Sequence, residues 1–118
     1  MKKHNQTLLA VTILLITINS FTVFATNKTD TVTIKTSARC DDCKERIESR
    51  LNFTKGIKNA KLNMDTKAVV VIYDSEKTNL EAIKTAITKA GYDADEMPAD
   101  IKAYNRLPKC CQKDASPH

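Results

Sequence analysis

Apolar and polar positions change their period along the chain in a way that predicts one element after another. Asp30 to Thr36 alternates, with Val32 and Ile34 on one face, which predicts a first strand. Cys43, Ile47 and Leu51 then recur every four residues, the stripe of a helix with one buried face, with Asp41 or Asp42 placed to cap it and Gly56 placed to end it. Ile57 to Met64 puts Ala60, Leu62 and Met64 on one face, Asp65-Thr66 reads as a turn, and Lys67 to Tyr73 is a β-branched run. In that third strand Val69, Val71 and Tyr73 share one face, and Val70 and Ile72 the other. Thr78 or Asn79 caps a second helix carrying Leu80, Ile83, Ile87 and Ala90, ended by Gly91. Tyr92 to Met97, interrupted by acidic residues, predicts a weak fourth strand at an edge.

Strand, helix, strand, strand, helix, strand is the order of an α+β, ferredoxin-like βαββαβ sandwich. It predicts a four-stranded antiparallel sheet with two helices on one face and an open opposite face bearing Val70 and Ile72. After Pro98 the composition changes. Ala99 to Leu107 predicts a short helical extension with Ile101, Tyr104 and Leu107 inward, followed by the adjacent pair Cys110-Cys111 and a polar tail.

The N-terminal stretch reads differently. A basic start, an apolar run from Leu8 to Ile18, and Val23-Phe24-Ala25 with small residues before a cut after Ala25 make residues 1–25 a secretory signal peptide. The run is short for a membrane span, which needs about 20 apolar residues. The expected division is residues 1–25 signal, 26–97 domain and 98–118 extension. It implies a periplasmic or secreted protein whose only membrane association is the signal, with its cysteines in an oxidising compartment.

The 118 residues carry a formal charge of +5, and loss of the signal, with Lys2 and Lys3, lowers it to +3. The remaining charges are interspersed, which gives no case for nucleic acid. An RNA-binding sheet would need aromatic side chains on its open face, and the third strand offers only Tyr73, on the core face. The two histidines, His4 and His118, lie at the chain's ends, so no Ser/His/Asp or Cys/His catalytic group can be assembled in the domain body. Two isolated glycines exclude a glycine-rich phosphate loop. A non-enzyme is expected, acting as a monomer.

The chemistry concentrates in Ser37-Ala38-Arg39-Cys40-Asp41-Asp42-Cys43-Lys44. Cys40 falls in a loop and Cys43 in the first helical turn, so both sulfurs are expected to face one solvent-accessible space, where the helix N-terminus favours a thiolate. Three readings compete: a soft-metal site, a thiol-disulfide redox pair or redox sensor, and a structural disulfide. Aspartates between the cysteines are expected to raise the thiol pKa, against redox attack, and to help hold a cation. A disulfide closing so small a loop stabilises little.

The strand, the CxxC that opens a helix, the strand pair, the second helix and the Lys89-Ala90-Gly91-Tyr92 that ends it resemble the heavy-metal-associated domain family, which includes copper chaperones and periplasmic mercury-binding proteins. The likeness covers about Asp30 to Met97. It implies that Cys40 and Cys43 are metal ligands, that Tyr92 lies near the metal, and that a soft ion passes by thiolate exchange to a metal transporter or another metal-binding protein. Cu(I) is favoured, with Hg(II), Zn(II) or Cd(II) as alternatives. Two features depart from the family. Ala38 stands where a methionine is usual and is expected to leave the loop looser. Asp41 and Asp42 replace small residues, add negative charge that favours a divalent ion, and are possible auxiliary ligands. Cys110 and Cys111 lie outside the family core. They are open to three roles: auxiliary metal ligands, disulfide partners, or inert thiols. Lys44, Arg46 and Arg50 form either a solvated helix face or a surface that steers a partner.

Overall fold

The computed structural model describes residues 28–113. Within them, β1 (Thr29–Lys35), α1 (Asp41–Asn52), β2 (Ile57–Asn63), β3 (Ala68–Asp74), α2 (Leu80–Lys89) and a short α3 (Ile101–Asn105) follow in order, and a 3-10 turn covers Lys109–Cys111. The expected signal peptide, residues 1–25, and His118 lie outside the described residues. Among the described residues, no helix is long and apolar enough to cross a membrane.

The sheet is antiparallel in the order β1-β3-β2, so the β-branched strand is central and pairs on both sides. Its alternation decides which face is covered. Val69 and Val71 are fully buried with Ile34, Ala60 and Leu62, whereas Val70 is exposed on the opposite face. α1 and α2 close the buried side with Ile47, Leu51, Ile83 and Ile87. Each such side chain contributes about 1.5–3 kcal/mol when removed from water.

The ferredoxin-like α+β architecture is present, but the fourth strand is not. Tyr92 to Met97 contributes only the isolated bridges Thr36↔Ala94 and Ala94↔Met97. The chain turns too soon for a ladder. Ala94 and Met97 exchange both backbone hydrogen bonds at 2.9 Å, and Asp95 between them takes a left-handed φ of 50°. Pro98 then removes the next donor. What remains of the pairing is Asp95, whose N–H donates to the Lys35 carbonyl and whose side chain accepts from the Lys35 N–H, each at 2.8 Å.

Helix starts and ends also differ from the sequence expectation, at both ends of α1. Asn79 caps α2 by accepting from the Ala82 N–H at 2.8 Å. The residue capping α1 is Cys40, not an aspartate; it makes no side-chain cap bond, and Asp41 and Asp42 fall inside the first turn. α1 ends at Asn52, with Gly56 (φ 86°) in the turn that follows.

The extension past Pro98 is helical over Ile101–Asn105 and folds back on the domain. Leu107 is buried against Gly91, which leaves no room for a side chain: a Cβ there would stand 3.0 Å from Leu107 Cγ. Tyr104 is half-buried, but Ile101, expected inward, is 75% exposed. α3 stops at Asn105, so Leu107 lies beyond it and is buried from the following turn, while Ile101 stands at the first position of the helix.

Candidate metal centre

β1 delivers the chain to the loop Thr36 to Cys40, and α1 begins directly after it. Thr36 Oγ1 donates to the Lys67 carbonyl at 2.8 Å and accepts from the Ala38 N–H at 3.3 Å, which fixes the loop against the β2–β3 turn. Ala38 is buried in the core cluster, so the small residue is packed here rather than loose.

Cys40 Sγ lies 3.3 Å from Cys43 Sγ. Cys40 is half-buried at the rim, but Cys43 is fully buried, which corrects the expectation that both sulfurs face solvent. The reason lies at the other end of the described chain. Cys111, also buried, places its sulfur 3.8 Å from Cys40 Sγ, so Cys40, Cys43 and Cys111 form a group of three sulfurs within 4.8 Å of one another. Cys110, half-buried, makes a second, outer group with Cys40 and the exposed Asp42. Asp41 enters neither group. All four cysteines are free thiols.

Tyr92 is the largest fully buried residue of the domain. Its hydroxyl has no hydrogen-bond partner and lies against the sulfurs of Cys111 and Cys43. Burial, reinforced by those sulfurs, pushes its ionisation well above the ordinary range. Burial likewise pushes the Cys111 thiol far up and the Cys40 thiol up. For Cys43 burial acts in the same direction but is outweighed by hydrogen bonds from Cys111, from the backbone of Arg39 and from Cys40, which hold its thiol below the ordinary value. The expected influence of Asp41 and Asp42 on these thiols is not among the principal causes; neighbouring sulfurs, backbone groups and burial dominate.

Residues with no local signal hold the extension in place. The Arg39 guanidinium donates to the carbonyl of Gln112 at 3.2 Å and also to that of Lys113. Lys113 forms an ion pair with Asp93 and its N–H donates to the Tyr104 hydroxyl at 2.8 Å. Gln112 Nε2 donates back to the Leu107 carbonyl at 3.2 Å.

A soft cation fits this donor set: two or three sulfurs within bonding reach of one point, low water access, and an orphaned hydroxyl able to donate to a thiolate. The family model for the heavy-metal-associated domain matches residues 33–93, just over half of the chain. The chain belongs to the heavy-metal-associated domain family.

Other members show the same sequence pattern and fold. A copper-exporting P-type ATPase of Staphylococcus aureus (strain MRSA252) is 39% identical over 71 residues, 60% of this chain. One from Staphylococcus epidermidis (strain ATCC 35984) is 36% identical over 67 residues, 57% of this chain. The match spans only 8% of the length of each ATPase. Among solved structures, the CopZ metallochaperone superposes with a TM-score of 0.53 at 32% identity, covering 55% of this chain and 98% of its own. Oxidised MerP from Ralstonia metallidurans CH34 superposes with a TM-score of 0.55 at 25% identity, covering 57% and 94%. As a heavy-metal-associated domain, the chain has a fold shared with metal-binding relatives and a cysteine cluster suited to a soft ion.

Proposed function

We propose that Cys40 and Cys43 hold a soft metal ion, Cu(I) ahead of Hg(II), Zn(II) or Cd(II), and that the protein passes it by thiolate exchange to a metal transporter or another metal-binding protein. The observation that carries this reading is the 3.3 Å Cys40–Cys43 sulfur pair at the head of α1. The likeness to domains of copper-exporting ATPases and to a CopZ metallochaperone supports Cu(I) as cargo and a transporter as recipient.

In the exchange, the half-buried Cys40 is the sulfur that an incoming thiolate displaces first, while the buried Cys43 keeps its hold. A pair with one accessible and one enclosed sulfur releases its ion in that order. Arg46 and Arg50 are exposed on α1, and would steer an acidic partner surface towards the rim. Residues 1–25 make export the natural setting, with residues 26–97 as the metal domain, residues 98–118 as its extension, and the handover in the periplasm or outside the cell.

A thiol-disulfide oxidoreductase built on the same pair draws little support. The accessible sulfur, Cys40, is the one whose thiol burial holds above its ordinary value, which leaves little thiolate at neutral pH.

The test is metal stoichiometry on reduced protein, with Cu(I), Hg(II) and Zn(II) offered separately, then transfer to the metal-binding domain of a copper-exporting ATPase. The double variant Cys40→Ser/Cys43→Ser is expected to lose the bound ion while remaining folded. Retention of a full equivalent of metal by that variant refutes the reading. So does reduction of insulin disulfides by a protein that retains no metal.

A further inference from the structure

We propose that Cys111 is a third ligand, so that the docked extension turns the two-cysteine pair into a three-sulfur site for a soft cation. This rests on the reading of Cys40 and Cys43 as ligands, and goes beyond it by assigning a donor that lies outside the family's matched residues, 33–93.

Geometry separates the two coordination modes. With metal–sulfur bonds of about 2.3 Å, two sulfurs facing each other across an ion stand about 4.6 Å apart, and three sulfurs around an ion about 4 Å apart. Cys40 and Cys43 stand 3.3 Å apart and Cys40 and Cys111 3.8 Å, with all three sulfurs within 4.8 Å. The triangle needs small adjustments around 4 Å to admit an ion. A linear pair would have to open by more than 1 Å in a place where Cys43 is fully buried.

The third sulfur is positioned by contacts that owe nothing to any cysteine. Arg39 grips the Gln112 and Lys113 carbonyls, Asp93 pairs with Lys113, and Leu107 is seated on Gly91. A donor already held in place binds with less loss of freedom than one gathered from a mobile tail. The Tyr92 hydroxyl, buried without a partner beside Cys43 and Cys111, supplies a donor for thiolate charge. Each sulfur binds as a thiolate, and its proton leaves to solvent as the ion enters. Cys110 stands in the outer group with Asp42 and is outside the triangle.

Sulfur coordination number decides the matter. Reduced full-length protein is loaded with one equivalent of Hg(II) and measured by X-ray absorption at the mercury edge; Cd(II) affinity is measured in parallel by chelator competition. The expected result is three sulfurs in the unaltered protein and in Cys110→Ser, two in Cys111→Ser, and a Cd(II) affinity about 10²-fold weaker in Cys111→Ser, since an internal ligand acts at high effective concentration. Two sulfurs in the unaltered protein overturn the proposal without reference to any variant. Three sulfurs in Cys111→Ser also overturn it. Cys111→Ala, with circular dichroism on the metal-free forms, guards against a folding defect. Loss of metal in Cys40→Ser/Cys43→Ser with no change in Cys111→Ser refutes this proposal and leaves the two-cysteine reading standing.

Discussion

The hydroxyl of Tyr92 is buried against the sulfur of Cys43 with no hydrogen-bond partner. An unsatisfied buried O–H costs about 1–3 kcal/mol, so the metal-free fold is strained at this point. Tyr92→Phe is therefore expected to stabilise the reduced, metal-free protein by about 1 kcal/mol in urea unfolding, and to weaken the hold on a metal thiolate. A clear loss of apo stability would contradict the assignment.

Alkaline pH should loosen the fold. Burial raises the Cys111 thiol from its ordinary 9.0 and the Tyr92 hydroxyl from its ordinary 10.0. A group whose folded pKa is raised contributes stability that is complete below its unfolded pKa and is lost as pH rises above it. Cys43, with its thiol lowered, acts oppositely, gaining as pH climbs towards 9.0, but over a smaller range. The net expectation is a decline above about pH 9, approaching 1.4 kcal/mol per pH unit for each proton retained. Urea midpoints measured at pH 8, 9 and 10 check it. Cys111→Ser should flatten the decline, and an unchanged slope in that variant would remove Cys111 as its source.

Gly91 has a φ of 104° and Leu107 Cγ only 3.0 Å from where a Cβ would go. Gly91→Ala combines backbone strain of about 1–3 kcal/mol with a clash against the extension. The melting temperature should fall, and Cys111 should become open to alkylation in the metal-free protein. Normal melting with Cys111 still protected would show that the extension is seated by other means.

Arg39 reaches across to the carbonyls of Gln112 and Lys113. Arg39→Gln should speed alkylation of Cys111 by about tenfold, the equivalent of one charge-assisted hydrogen bond. Mass mapping of the modified peptide distinguishes Cys111 from Cys110. Equal rates in the two proteins would take Arg39 out of the clamp.

Caps give a contrast within one molecule. Asn79→Ala should cost about 1 kcal/mol, because its side chain caps the Ala82 N–H. Asp41→Ala should cost clearly less, since the capping position of α1 belongs to Cys40 and Asp41 contributes only as a negative charge in the first turn. Equal losses in urea unfolding would reverse the assignment.

The elements legible in the sequence were those whose information is local. Period-four spacing of Cys43, Ile47 and Leu51 and alternation through Val69 to Tyr73 both survive into the fold, because each depends on one buried face. Tyr92 to Met97 has strand-like spacing too, but backbone preference at Asp95 and the missing donor of Pro98 prevail, and a tight turn results. The Cys40–Cys43 pair was visible from its spacing. An auxiliary role for Cys110 and Cys111 was open from the sequence, but that Cys111 rather than Cys110 meets both sulfurs was not legible, because its place follows from Arg39, Asp93 and Gly91 acting together over contacts more than seventy residues apart in the case of Arg39. No periodicity encodes such a meeting. Ile101 shows the same limit: helical spacing matched it to Tyr104 and Leu107, but the helix stops at Asn105 and Leu107 docks from beyond it.

Cys40 and Cys111 are 71 positions apart in sequence and neighbours in space. An ion shared between them would staple nearly the whole domain into a ring, in the manner of a cross-link. Ring closure of that size withdraws freedom from the unfolded chain worth up to about 4 kcal/mol. The cargo would then also be the clasp of the fold, and a recipient that removed it would leave behind a protein more easily unravelled than the one it met.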